Sequence, residues 1–448
     1  MQPSLSSQSS VMDWIGETIS KMYSEIVSWR RDFHQYPEPG WCEYRTSAKI
    51  ANLLESWGWK IFLGEEVTAR EARMGVPSIE VLERCEERAR LEGVSEVCIE
   101  KMKGGQTGVI AEWKTKREGP VFVFRFDIDS NELKENTSTD HIPVQIGFSS
   151  KHEDCMHACG HDGHTAMGLA VAKWISCNQN LISLKGTIRL IFQPAEEGCR
   201  GARAIVEKGW LDDADYFLSG HIGFRSFDLE EIVLNTTGFL ATTKWDATFT
   251  GQAAHAGGEP EQGKNALLAA STAALNLHAI SRHSQGASRV NVGKLIAGSG
   301  RNVIPSNAYM QIETRGETDE INQYVSSEVK RILEASAMMF GVNVQMETVG
   351  EAGQADGSLE FRDLLAEILK DVTGVTKLVP QTNLGASEDV TFMLKEVEKK
   401  GGKGLYILLG SPLRAMHHQS KFDFDENVLH KGAEAYIRTL IKVLGSRD

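Results

Sequence analysis

Five side chains able to bind a metal as soft or borderline ligands fall within ten residues, in Cys155-Met156-His157-Ala158-Cys159-Gly160-His161-Asp162-Gly163-His164. Thiols and imidazoles packed this densely must converge on a cation or each find a separate partner, since buried polar groups left alone are costly. The spacing lacks the paired C-x2-C units of a structural zinc site. Cys159 and His161, two apart in a Gly-containing loop ahead of a helical stretch (Thr165 to Ile175), can face one ion. The plain alternative is a polar loop with unrelated histidines.

Further donors lie elsewhere. Gln193-Pro194-Ala195-Glu196-Glu197-Gly198 follows an apolar strand, Thr187 to Gln193. Adjacent carboxylates at the end of a buried strand are unfavourable unless paired or metal-bound, and open α/β sheets place ligands at the carboxyl ends of their strands. One of the two can bind metal while the other handles a proton. In Val121 to Asp129, period-2 geometry puts Arg125, Asp127 and Asp129 on one face, a pattern that also describes a buried ion pair. His221 ends a predicted strand, Ala214 to Ile222, and His417-His418 precede a short acidic segment; singly, such residues are ordinary polar positions.

These strands, with Leu405 to Leu409, alternate with helices such as Ala202 to Lys208, as in an α/β sheet covered on both faces. Between Thr242 and Gly350 the order changes to strand (Lys244–Thr250), helix (Ala266–Ile280), two strands (Arg289–Ile296, Ala308–Thr314), helix (Glu320–Phe340) and strand (Val342–Val349). That is the βαββαβ unit. We expect a first catalytic part at 11–241, an inserted lid or dimerisation domain at 242–350, and a second catalytic part at 351–448. Ser4 to Ser10 reads as a polar tail and Trp14 to Trp57 as helical, with a turn at Pro37-Glu38-Pro39-Gly40. Residues 65–103 read as a surface helical insertion, with Glu80–Arg84 and Glu86–Arg90 at ion-pair spacing on a solvated face.

Composition narrows the function. With 48 Lys+Arg against 61 Asp+Glu, net −13, the chain lacks the cationic surplus that broad nucleic-acid binding requires. No apolar run approaches the roughly 20 residues of a membrane span, and the N-terminus has no basic start followed by an apolar block. Seven cysteines, an odd number, fit reduced thiols; we therefore expect a cytoplasmic protein. Gly258-x4-Gly263-Lys264 imitates a phosphate loop, but Asn265 replaces the Ser/Thr, and Glu259 and Glu261 would repel phosphate. No G-x-S-x-G elbow or H-E-x-x-H helix occurs.

His34-Gln-Tyr-Pro-Glu38-Pro-Gly40, Met156 to Asp162 and Gln193 to Gly198 resemble the M20 metallopeptidase family, specifically the amidohydrolase branch that cleaves N-acyl amino acids. Ala253-Ala-His255-Ala-Gly257, Asn302-Val-Ile-Pro305, Ser387-Glu-Asp389 and His418-x3-Phe422-Asp-Phe-Asp425 extend the likeness over nearly the whole chain. Stretches at Arg73–Pro77, Ala241–Lys244 and Gly286–Gly293 resemble members acting on p-aminobenzoyl-glutamate. The resemblance implies a mixed-sheet α/β catalytic domain with an inserted ferredoxin-like lid, and two divalent ions, manganese or zinc. It implies Cys159, His161, Glu197, His221 and His418 as ligands, Cys159 between the ions. Glu196 would be general base, and Asp127 would orient a metal-binding histidine. His255 would reach a partner subunit's site, and Asn302 and Arg315 would hold the substrate carboxylate. It further implies a homodimer, or a heterodimer with a related B subunit, cleaving p-aminobenzoyl-glutamate to p-aminobenzoate and glutamate. Two alternatives stand beside it: hydrolysis of other N-acyl or indole-acyl amino acids, and a non-catalytic binding module on the same fold. The complete ligand and base set argues against the last.

Overall fold

The computed structural model describes residues 8–445. Ser4 to Ser7 of the expected tail lie outside these residues, while Gln8 to Ser10 open the first helix, Gln8–Lys21. The chain builds an eight-stranded mixed sheet and a separate four-stranded one. At the centre of the large sheet, Thr187–Gln193, Val121–Asp127, Tyr216–Ile222 and Lys403–Leu409 run parallel. Strands buried on both faces tolerate apolar residues on each. Phe122, Phe124 and Phe126 enter one core, while Val123 enters the other with Ile110, Ile191 and Phe217. Helices His161–Asn178 and Asn427–Leu444 cover the first face; Ala202–Glu207 and Val390–Lys399 cover the second.

This packing carries the donor-rich run to the strand ends. Helix His161–Asn178 lies so close to the sheet that a Cβ on Gly168 would sit 2.6 Å from Phe126 and 2.7 Å from Phe192. Its first turn, with His161 and His164, is thereby fixed beside Asp127, the last residue of its strand.

In the first part of the chain two strands are added and one expected ion pair, Glu86–Arg90, is corrected. Lys60–Leu63 and Val109–Lys114, not foreseen, add an antiparallel edge to the parallel strands. Residues 65–103 contain the surface helices Ile79–Leu91 and Glu96–Met102, with Glu80 and Arg84 on an exposed face, but Leu82, Cys85, Ala89, Ile99 and Met102 anchor them in the main core. Glu86 is buried, and its Oε1 accepts hydrogen bonds from the Tyr44 hydroxyl and the Gly104 amide, both at 3.1 Å. Arg90 pairs instead with Glu87 and Glu96.

The small sheet has the order Asn343–Ala352, Ala241–Thr250, Asn307–Gly316, Ser288–Ala297, with every neighbouring pair antiparallel. Helices Ala266–His278 and Asp319–Met339 pack on one face, over Trp245, Ala247, Phe249, Met310 and Ile312. Alternation turns Lys244 and Asp246 to the opposite face. Tyr216–Ile222, before this unit, pairs with Lys403–Leu409, after it, so the small sheet is an insertion between neighbouring strands of the large one.

Glu86→Ala strands the Tyr44 hydroxyl and the Gly104 amide, and is expected to cost about 1–3 kcal/mol in denaturant unfolding. Arg90→Ala should leave the unfolding midpoint in place. Equal midpoints for the two variants would restore the solvated reading of Glu86.

Candidate metal centre

Cys159, His161, Glu197, His221 and His418 come from four separated segments and converge. Gly160, with φ of +92°, turns the chain from Cys159 into the helix that begins at His161. Cys159 Sγ lies 3.4 Å from His221 Nε2, and Glu197 Oε1 lies 3.3 Å from His418 Nε2. Overlapping sets link the group: Cys159 with His161 and His221, Cys159 with Glu197 and His418, and His161 with Glu196 and Glu197.

Their outer hydrogen bonds leave the inward atoms free. His221 Nδ1 donates to the Ile222 carbonyl at 2.8 Å, which makes the Nε2 facing Cys159 a lone-pair donor. His161 Nδ1 contacts the Asp129 carbonyl at 3.0 Å and Asp129 Oδ1 at 3.2 Å. His161 Nε2 and Glu197 Oε1 are buried and accept or donate no hydrogen bond. Orphaned buried atoms of this kind, an imidazole nitrogen and a carboxylate oxygen within overlapping donor sets that also hold a thiol, fit a divalent cation, with the outer bonds orienting the ligands.

The electrostatics agree. Burial, then Glu197 and Glu196, hold the Cys159 thiol well above its usual range. Burial and the charges of Glu388 and Glu197 push Glu196 up as well. At His161 burial opposes charge, but Asp127 and Asp129 outweigh it and raise the imidazole to about 10. At Glu197 burial is outweighed by His418, and the carboxyl falls to about 2. Three of these four shifts retain protons, as expected where acidic groups outnumber the local positive charge. A metal supplies that charge and releases the protons.

The loop carrying Glu196 and Glu197 is held at several backbone points. Glu43 accepts from the Ala195 amide at 2.8 Å, and Asp129 from the Glu197 amide at 2.9 Å. Asp389 accepts from the amides of Gly201 and Ala202, where helix Ala202–Glu207 starts. These contacts sustain left-handed backbone at Ala195 (φ 52°) and Cys199 (φ 61°), conformations that L-residues adopt only when surroundings impose them.

Of the two strand-end acids, Asp129 approaches the ring of the ligand His161 more closely than Asp127 does. Asp127 Oδ1 pairs with His164 Nδ1 at 2.5 Å and lies 3.8 Å from His161 Nε2, while Asp129 meets His161 Nδ1. The strand ends at Asp127, so Asp129 has left the ladder and turned toward the helix. His164 in turn accepts from the Ile222 amide at 2.9 Å. Glu43 was not singled out in the sequence; His164 appears there within the donor-rich run, and Glu388 and Asp389 only within a motif, none of the three with a role of its own.

His255, Asn302 and Arg315 are not part of the cluster. His255 is exposed, its Nδ1 accepting from the amides of Gly257 and Gly258, and it bridges Val303 beside Asn302. Arg315 pairs with Glu313 at 3.0 Å. A cavity of about 450 Å³ opens beside Glu197, between the Glu-Glu loop and the small sheet, and none of these three lines it.

Residues 123–442 match the family described as Peptidase family M20/M25/M40. The chain is 44% identical over 431 residues to the A subunit of p-aminobenzoyl-glutamate hydrolase from Escherichia coli, covering 96% of this chain and 98% of that one. It is also 44% identical over 431 residues to indole-3-acetyl-aspartic acid hydrolase of Enterobacter agglomerans, with the same coverage of 96% and 98%. The crystal structure of aminobenzoyl-glutamate utilization protein from Klebsiella pneumoniae superposes with a TM-score of 0.83 at 40% identity, covering 95% and 97% of the two chains.

Zinc or manganese added to metal-free protein should raise its thermal midpoint, because an ion bound only by the folded state stabilises it. Cys159→Ala removes the donor common to two of the overlapping sets. Calorimetry should then show most of that rise lost, with bound metal per chain falling in parallel. An undiminished rise would remove Cys159 from the ligand set.

Proposed function

The chain belongs to peptidase family M20/M25/M40, and from that premise we propose that it hydrolyses the amide bond of p-aminobenzoyl-glutamate with two divalent ions. The observation that carries the reading is the convergence of Cys159, His161, Glu197, His221 and His418, with Glu196 beside them and 3.9 Å from His161. The full-length likeness to two hydrolases of acyl-acidic-amino-acid amides supports the substrate class. A non-catalytic binding module would have no need of this complete set.

Bound divalent metal supplies Lewis acidity, bringing water's pKa toward about 7 and stabilising oxyanion charge. The chain's own groups do the rest. Glu196, in the carboxylate state, takes the proton of the attacking water and returns it to the leaving amine nitrogen. Glu197 is a ligand rather than a base, its amide held by Asp129 and its carboxylate facing His418. Asp129 orients His161, the role first expected of Asp127; Asp127 acts one step back, through His164. The Cys159 thiolate favours zinc by softness, whereas carboxylate and imidazole also serve manganese.

His255 and Asn302 stand together on the lid, away from the cluster of their own chain, and we assign them to the site of a second protomer, with Arg315 supporting the carboxylate side. The Escherichia coli relative is named as one lettered component of its enzyme, which supports assembly with a related B subunit as the other arrangement. The seven cysteines are all free, in keeping with a reducing, cytoplasmic setting. Among the described residues no helix is long and apolar enough to cross a membrane.

The second reading, an indole-acyl aspartate as substrate, has equal identity behind it. Comparing kcat/KM on p-aminobenzoyl-glutamate and indole-3-acetyl-aspartate decides between them. A tenfold preference for the former is expected, and the reverse preference would install the alternative.

Glu196→Gln should retain both ions and lower turnover by at least about 10²-fold, the usual scale of general acid–base catalysis. Glu197→Gln should instead lose metal. If metal loss were greater in Glu196→Gln, the two assignments would be exchanged. Mixing His255→Ala with Glu196→Gln protomers should restore part of the activity, because one site of the mixed dimer then carries neither defect. No recovery in mixed dimers verified by mass would place the action of His255 in its own chain.

A further inference from the structure

The cavity beside Glu197 contains two cationic side chains, Lys244 and Arg200, and neither has a carboxylate within ion-pair distance among the described residues. Their situations differ. Arg200 is tethered, its Nε donating to the Glu197 carbonyl at 2.8 Å and its Nη1 to the Gly75 carbonyl at 3.2 Å. Lys244 makes no side-chain hydrogen bond among the described residues, although Asp246 stands two residues along on the same face of the sheet. Asp246 is already held by the Tyr309 hydroxyl at 2.5 Å.

The lid is shaped around the lysine. Opposite Lys244 the neighbouring strand shifts register between Thr348 and Gly350, placing a glycine across from it. A Cβ on Gly350 would lie 3.3 Å from Lys244 Cδ and 2.1 Å from the Gly198 carbonyl oxygen. Glu351 also donates its amide to the Cys199 carbonyl at 2.8 Å. The strand beside Lys244 is therefore docked on the loop that carries Glu196 and Glu197. This contact sets the Lys244 backbone beside the cavity that both Lys244 and Glu197 line. A free lysine at a solvent edge needs no such accommodation.

We propose that Lys244 reads the side-chain carboxylate of the substrate's acidic amino acid and so selects glutamyl or aspartyl amides over neutral ones. The inference deepens the proposed function and rests on it for the position of the scissile amide. The other charged cavity residues, Glu132, Glu197, Asp246 and Glu347, are acids. They repel an anion from the remaining walls and leave the two cations as its seat. Lys244, with all three N–H donors unused, can make a charge-assisted bond to a carboxylate that a carboxamide cannot match.

The test pairs acidic with neutral substrates: p-aminobenzoyl-glutamate with p-aminobenzoyl-glutamine, and indole-3-acetyl-aspartate with indole-3-acetyl-asparagine. Affinity for each is measured by calorimetry on metal-loaded Glu196→Gln protein, with and without Lys244→Met, and kcat/KM on the Glu196 forms. The protein should prefer the acid by roughly 10–100-fold, the scale of a hydrogen bond to a charged group. Lys244→Met should bring that ratio near one, and Lys244→Arg should keep it. A purely structural lysine would lower both members of a pair alike and leave the ratio standing; that result, or no preference in the unaltered protein, overturns the proposal. A Lys244-dependent binding preference without turnover would uphold it and sink the proposed activity. Turnover with a preference indifferent to Lys244 would do the opposite.

Discussion

The buried guanidinium of Arg125 is the interaction on which the rest of the site depends. Fully enclosed, it meets Asp127 at 2.7 Å, Glu388 at 3.1 Å, Asp389 at 3.3 Å and the Gln193 carboxamide at 2.8 Å. It thereby ties the ends of two parallel strands to the segment before helix Val390–Lys399. Each tied group then acts outward: Asp127 holds His164, Asp389 holds the start of helix Ala202–Glu207, and Glu388 accepts from Tyr406 while standing close to Glu196. A buried cation adds little net stability over an apolar replacement. Its worth here lies in fixing several carboxylates that would otherwise repel one another.

Around that hub the fold places charge asymmetrically. Satisfied acids lie behind the site and unsatisfied donors in front, with His161 Nε2 and Glu197 Oε1 lacking a hydrogen bond at the meeting point and the latter facing His418. The mouth is more open: His418 is 57% exposed in its side chain, whereas His161 is 1%. The lid lies across this mouth, its strand fastened to the Glu-Glu loop through Gly350 and Glu351. Chemistry at the strand ends and selection on the lid are thus joined through the backbone at Gly350 and Glu351, with the Arg203–Glu351 ion pair beside them.

Much of this was legible because the signals are local. The apolar strands, the helical stretches and the βαββαβ order follow from periodicities of two and 3.6, and each occurs in the structure. The donors also announced themselves, as Cys159 and His161 in a dense run and Glu196-Glu197 after a strand. What was not legible depends on contacts remote in sequence. Glu86 has the spacing of a surface ion pair, and only the approach of Tyr44 and Gly104 makes it a buried acceptor. Lys60–Leu63 is too short to declare itself without its partner Val109–Lys114. Asp127 and Asp129 share a pattern, and choosing between them required knowing where the strand ends. Whether His255 serves its own chain or another is likewise a matter of assembly.

The central claim is that five residues from four segments hold two divalent ions. Anomalous diffraction from crystals of metal-loaded protein, recorded at the absorption edge of the added metal, tests it most directly. The account predicts two peaks per chain, both bounded by Cys159, His161, Glu197, His221 and His418, with Cys159 sulfur adjoining both. A single peak, or peaks seated on other side chains, would contradict it.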